Sequence, residues 1–406
     1  MAYIRVDLFK AMNNLKLLIL MLSMVSCTRK PFIAIDYFNQ KQPDSLPRIF
    51  APGIISEKGR FEMGITISPN GKSIAFGVAH EEKVEENCIY LLSSSNGKWS
   101  KADKRIIPDN INTSFPMFGP DGKELFFAKK INDSENDLWV STYTNNKAVR
   151  PRPLDSPIVS VSREAGHGKS IDGSIYFTSN RDVKHECCGD IFRSQKDRKG
   201  NYSSVEKVEE LSTDADEESL FFSRLGDYII IQAWKEEFQS KHDLYISYRR
   251  KSGKWTLPKR LDTLINTKAI EQRPFVSPDS KYLFFSRTTV SHEDKQEAYE
   301  SDIYWVSTKS IFKPFAYNIP SEIEIPKNKP FEVQLPRDLF KDIDNVELSY
   351  KVTLADNSDL PKWINFDSHN LVLNGEWKDK EMSSITISAT DENGNQSKIK
   401  IPVVKK

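Results

Sequence analysis

Five positions in this chain share one setting, and four of them carry the same acid. Glu62, Thr113, Glu164, Glu217 and Glu271 each stand six residues ahead of a tight-turn sequence. His167 follows three residues into the third of these segments, and Arg181 and Arg287 lie further along the third and fifth. His80, His185 and His292 fall in variable loops beyond. Carboxylates, guanidiniums and imidazoles converging on one mouth would suit a polar ligand such as a sugar or a peptide. Two such carboxylates could also act as the acid and base of glycoside hydrolysis, although four like-placed glutamates do not select which is which. The competing expectation is structural, with each Glu bonded to neighbouring backbone. No nucleophile elbow, phosphate-cradling glycine loop or HExxH pattern occurs.

The elements that would position these residues come from a repeat. Ser68-Pro69-Asn70-Gly71-Lys72 returns as Gly119-Pro120-Asp121-Gly122-Lys123 and as Ser277-Pro278-Asp279-Ser280-Lys281, with weaker copies at Ser170–Ser174 and around Gly226. The copies are spaced 51, 51, 53 and 54 residues apart. Each turn leads into an apolar strand such as Leu125-Phe126-Phe127 or Tyr282-Leu283-Phe284-Phe285. A third strand then opens on Asp, as at Asp137, Asp190, Asp243 and Asp302, with Cys88 in that place in the first copy. Four short strands in a period of this size predict a propeller blade. The fifth copy stops after its third strand, at Ser307, and Leu46–Ser56 resembles the missing fourth. Five blades are therefore expected, the last closed by the N-terminal strand, which removes a free sheet edge.

These motifs resemble the WD40-like PD40 repeats of TolB-type propellers, over roughly residues 45–310. The resemblance implies the propeller fold and places the inner-strand starts, with their glutamates, around the mouth of the central channel. Glu is common at this position in the repeat family, so the resemblance leaves open a structural role, each Glu bonded to neighbouring backbone, beside the ligand-binding one.

The N-terminal segment reads as an address. Lys16 precedes an apolar run, Leu17 to Val25, too short to span a bilayer, which ends at Ser26-Cys27. Met24-Val25-Ser26-Cys27 resembles the lipobox of bacterial lipoproteins. That implies a signal peptide over 1–26, lipidation of Cys27, and a tether over 27–45, with the acyl chains holding the protein to a membrane. An ordinary secretory signal with an incidental Cys is the alternative. Thr28-Arg29-Lys30 lacks the acidic residues of a surface-export signal, which favours an outer-membrane anchor facing the periplasm. Cys187 and Cys188 are adjacent, and a vicinal bridge there would be strained. With four Cys in 406 residues the chain must rely on a buried core, and a net charge of +1 gives no reason to expect nucleic acid as a partner. An aromatic content of 11% leans towards β structure.

Residues 313–328, punctuated by proline, read as a linker, and 329–406 as a second domain of alternating strands. Leu360–Asp367, Asn374-Gly375 and Ala389–Gly394 resemble the dystroglycan-type cadherin-like domain, which implies an immunoglobulin-like β-sandwich. Asp342, Asp344 and Asp391 could supply oxygen ligands to Ca²⁺, a hard cation, or form a solvated acidic turn. No other cofactor is expected.

The whole reads as an all-β chain, a five-bladed propeller over 46–312 followed by a sandwich. Its expected role is an envelope lipoprotein whose channel mouth binds a peptide, protein or glycan through Glu62, Glu164, His167, Arg181, Glu217, Glu271 and Arg287. A carbohydrate-active hydrolase or lyase using the same Glu and His is the alternative, and a purely structural scaffold the third reading.

Overall fold

The computed structural model describes residues 35–79, 87–104, 107–108, 112–132, 135–182, 189–235, 242–293, 296–326, 329–344, 346–376 and 383–406, with backbone alone at 291–293 and 296–298. The expected signal peptide, Cys27, His80, His185, Cys187 and Cys188 lie outside these residues, as does the side chain of His292. Every regular element described is a strand, apart from short 3-10 turns such as Thr308–Ser310.

Between residues 48 and 307 the described strands form three four-stranded antiparallel sheets and one eight-stranded sheet, whose two halves are joined where Phe61 pairs in parallel with Ser301; these halves and the three sheets are here numbered as blades 1 to 5 in chain order. Blade 2 shows the pattern: Thr113–Phe118 lies innermost, then Glu124–Lys130, Asn136–Thr144 and Lys147–Pro153. Second strands are buried nearly end to end, as in Ile175–Ser179 and Tyr228–Trp234, because a blade packs against neighbours on both faces. They therefore read as continuous apolar runs rather than alternating ones. The repeated turn is built by side chains. In blade 5, Ser277 Oγ meets Asp279 Oδ1 at 2.6 Å and accepts the Tyr282 N–H, while Asp279 accepts the Lys281 N–H. Gly71 and Gly122 take the left-handed turn position at φ +69° and +73°, and Ser280 occupies it in blade 5 at φ +61°.

The outer strand of blade 5 comes from the other end of the propeller sequence. Arg48–Ile49 pairs antiparallel with the third strand, Arg48 opposite Trp305 and Ile49 opposite Tyr304. Phe50 next to it is fully buried, its ring 4.9 Å from Phe284 and 5.2 Å from Trp305. The last residues of the expected tether are likewise part of the fold. Tyr37 is buried against Tyr282 and Trp305 and its hydroxyl donates to Asp279, while Phe38 packs 5.2 Å from Trp99. Two adjacent aromatics cannot stay in water while an apolar seam between blades 1 and 5 is open to them.

The C-terminal domain is a sandwich of a four-stranded sheet and a three-stranded sheet. Its core includes Phe331, Leu339, Val352, Leu373, Ile387 and Ile401. The expected linker is shorter than the sequence suggested. Ile323–Ile325 pairs in parallel with Gln396–Lys405, and Phe315–Ala316 pairs with Phe340–Lys341, so both strands belong to the sandwich. Proline at each end of these short strands disguised them.

The sandwich docks on the propeller face that carries the turns of blade 4. Phe315 stacks on Tyr248 at 4.5 Å, Phe312 meets Tyr228 edge-on at 4.9 Å, and Lys251 pairs with Asp338 at 2.9 Å. Asn395 Nδ2 donates to the carbonyls of Lys309 and Phe312. The inner strands of the blades begin on the opposite face.

Candidate functional site

The glutamate ring is real as a pattern, but its carboxylates do not face a funnel. Glu62, Glu164, Glu217 and Glu271 are at most 1% exposed. Each is turned back onto the loop that arrives from the preceding blade. Glu164 accepts from the Ser160 N–H and hydroxyl, Glu217 from those of Thr213, and Glu271 from those of Thr267. Glu62 accepts the Glu57 N–H. A hydroxyl four residues upstream is thus the sequence signal for this role, and it was present in three of the four copies.

The arginines complete the same latch. Arg181 donates to Glu164 at 2.9 Å and to the carbonyls of Pro157 and Ile158. Arg287 donates to Glu271 at 2.8 Å and to the Ile265 carbonyl. Arg60 does so for Glu62 at 2.6 Å and for the Ile55 carbonyl. The guanidiniums also lie over aromatic rings, Arg181 over Phe177 and Arg287 over Tyr304. Glu217 has its Thr213 bonds but no such arginine contact, and burial pushes its carboxyl up to about 7. Burial also pushes Glu62 up to about 7 despite the bonds from Arg60 and Glu57, and raises Glu271.

A different set of residues faces the propeller axis. Every inner strand carries a register shift: between Met63 and Ile65, Ser114 and Met117, Glu164 and His167, Glu217 and Ser219, and Gln272 and Phe275. Such bulges re-aim side chains. The residue two places after each conserved position then lines a central cavity: Gly64, Phe115, Gly166, Ser219 and Arg273, joined by His167. Its volume is about 20 Å³, room for a water-sized group and too little for a sugar ring. Glycine is needed where strands crowd together. A Cβ on Gly166 would stand 2.2 Å from the Ser219 Cα, and one on Gly64 would stand 3.2 Å from the Arg273 Cδ.

Arg273 crosses this space. Its guanidinium lies 4.2 Å over the Phe115 ring, and its Nε and Nη1 are buried without a hydrogen-bond partner. Burial pushes it down to about 9, Glu218 offsetting part of the effect and Arg163 adding to it. Glu218 itself is engaged by Gln232 Nε2 at 3.0 Å, Arg163 at 3.8 Å and His242 at 4.0 Å. His167 is buried, neither ring nitrogen makes a hydrogen bond of good geometry, and burial pushes it down to about 4. It is therefore neutral at pH 7. The repeat alignment that found the glutamates also contains Arg273. It was missed because this column is the least repeat-like: two Gly, a Ser, a Phe and one Arg.

In the sandwich, Asp342, Asp344 and Asp391 act on one another electrostatically, and burial pushes Asp344 up to about 6. Asp391 is spent on Asn395, accepting its N–H and its side-chain amide. Among the described residues no group of three or more His, Cys, Asp or Glu side chains is arranged to hold a metal. Cys88 is buried at the start of its strand.

Comparison with known proteins bears on the two domains separately. Residues 313–404 match the family model described as "Putative Ig domain", so the C-terminal domain is Ig-like. No curated protein matches the sequence. Among solved structures, TolB from Acinetobacter baumannii aligns at 16% identity and a TM-score of 0.37, covering 62% of this chain and 55% of that one, about half its length. An α-L-arabinofuranosidase from Lactobacillus brevis aligns at 8% identity and 0.40, covering 62% and 91%. A calcium-binding regucalcin from Agrobacterium tumefaciens aligns at 13% and 0.35, covering 62% and 94%. The strand topology defines this chain as an all-β protein, a β-propeller followed by an Ig-like domain.

Proposed function

We propose that this chain is an envelope-anchored binding protein, exported by residues 1–26 and lipidated at Cys27, whose five blades form a complete ring. In this reading the propeller presents the face on which its inner strands begin to a peptide or protein partner. The observation that carries it is how the polar residues are used. The Glu and Arg of the repeat are spent inside the blades, where they hold loops, and the axis is narrowed to a cavity that admits one small group rather than a sugar ring. The sandwich occupies the opposite face through Tyr248, Phe315 and Asn395, which leaves the inner-strand face to a partner. No helix among the described residues is long and apolar enough to cross a membrane.

Two measurements test this. Cys27→Ser is expected to move the protein from the membrane fraction to the soluble one, and unchanged fractionation sinks the anchor. Capture from solubilised envelopes is expected to enrich a protein partner, with a glycan array blank. Selective glycan binding, or turnover of a glycoside lost in Glu271→Gln, would establish the carbohydrate-active alternative.

A further inference from the structure

The axial cavity contains a charged donor with nothing to donate to. Arg273 offers buried Nε and Nη1 protons that meet no acceptor among the described residues. A buried donor left unmade is costly, and more so when it is charged. Glu218 is the carboxylate that acts on it electrostatically, yet Glu218 is held by Arg163, Gln232 and His242 and makes no ion pair with Arg273. The guanidinium carbon lies 4.2 Å from the centre of the Phe115 ring, a contact that satisfies neither proton. Nε and Nη1 are buried donors without a partner beside this cavity, and a guanidinium pairs with a carboxylate through two parallel hydrogen bonds that use Nη2 together with either of them. Gly64 keeps the path of the side chain clear, since a Cβ there would press on the Arg273 stem. The buried His167, whose ring nitrogens make no hydrogen bond of good geometry, lines the same cavity.

We propose that the propeller axis is a carboxylate-recognition site, in which Arg273 takes the carboxylate of an extended segment of the partner. The segment would supply either its C-terminal carboxylate or an Asp or Glu side chain. This rests on the reading of the propeller as a peptide- or protein-binding platform and names the chemistry it selects.

The test is calorimetric titration of the full chain with three probes: a blocked tri-alanine peptide with a free C-terminal carboxylate, its C-terminal amide, and the amide carrying one internal Glu. Arg273→Gln and Arg273→Lys accompany the wild type. One or both acidic probes are expected to bind, with the plain amide weaker by about tenfold or more, and the acid that binds identifies the source of the carboxylate. Arg273→Gln should lose the preference and Arg273→Lys recover part of it. Should either variant fail to fold, the wild-type NMR signal of the Arg273 Nε–H supplies a second readout and should shift with the acid and not with the amide. Equal binding of acid and amide, or no movement of that signal with either acidic probe, overturns the site and means that water fills the cavity. The broader reading is tested separately: an envelope partner still captured by Arg273→Gln keeps the binding platform and removes the carboxylate site, whereas no protein captured by the wild type removes the platform.

Discussion

At the scale of single residues, the glutamates are buried anions whose cost is met by short-range donors. Removing one partner of such a pair leaves the other uncompensated. Glu164→Ala strips Arg181 and the Ser160 N–H of their acceptor and should cost about 3–5 kcal/mol in denaturant unfolding. Burial pushes Glu217, which no arginine meets, up to about 7, as it does Glu62 in spite of Arg60. The folded Glu217 carboxyl titrates near 7 against an ordinary value of 4.5, so the folded state holds the proton more tightly. That contribution is fully present below about 4.5 and is lost as pH rises through 7. Glu217→Gln, which mimics the protonated form, should flatten the fall in melting temperature between pH 5 and 7 relative to wild type. An unchanged slope would show that the group does not titrate there. The sequence displayed the ring itself, since type and spacing repeat. It did not display which way each carboxylate turns, because that depends on Ser160, Thr213 and Thr267 reaching a side chain four residues on.

At the scale of elements, the repeat period made the blades legible, because turn chemistry and apolar runs recur at fixed distance. The bulges were not legible: a register shift of one residue leaves no mark on composition, yet it decides what faces the axis. Gly166→Ala tests the close approach it creates. The added Cβ meets the backbone of Ser219, which cannot move aside as a side-chain end would, and a loss of about 1–3 kcal/mol or more is expected from thermal unfolding. Closure of blade 5 was readable from Leu46–Ser56, and its energetic anchor is Phe50. Phe50→Ala should cost about 3–5 kcal/mol, with the fluorescence of the neighbouring Trp305 reporting the loosened seam.

At the scale of the molecule, propeller and sandwich meet through aromatic stacking and the Asn395 bonds rather than across a flexible linker. Calorimetry should therefore show the two domains melting together, and Phe315→Ala combined with Asn395→Ala should separate them into two transitions. The docking was hidden in the sequence, since Phe315 and Tyr317 sit in a stretch that proline made look like a spacer. One further consequence follows from the pairing of Arg48 with Trp305. The chain is made from its N-terminus, so the strand that finishes the ring is produced ahead of all five inner strands, while its partner is completed only at Ser307. Until then Phe50 and Tyr37 have no seam to enter, and the first four blades stand as an open arc with an apolar edge at each end. Closing a loop of such length comes late and in one step, which makes the ring's last contact the gate for the whole fold. A nascent chain halted before Ser307 would therefore be a substrate for holding chaperones, and one released after it would not.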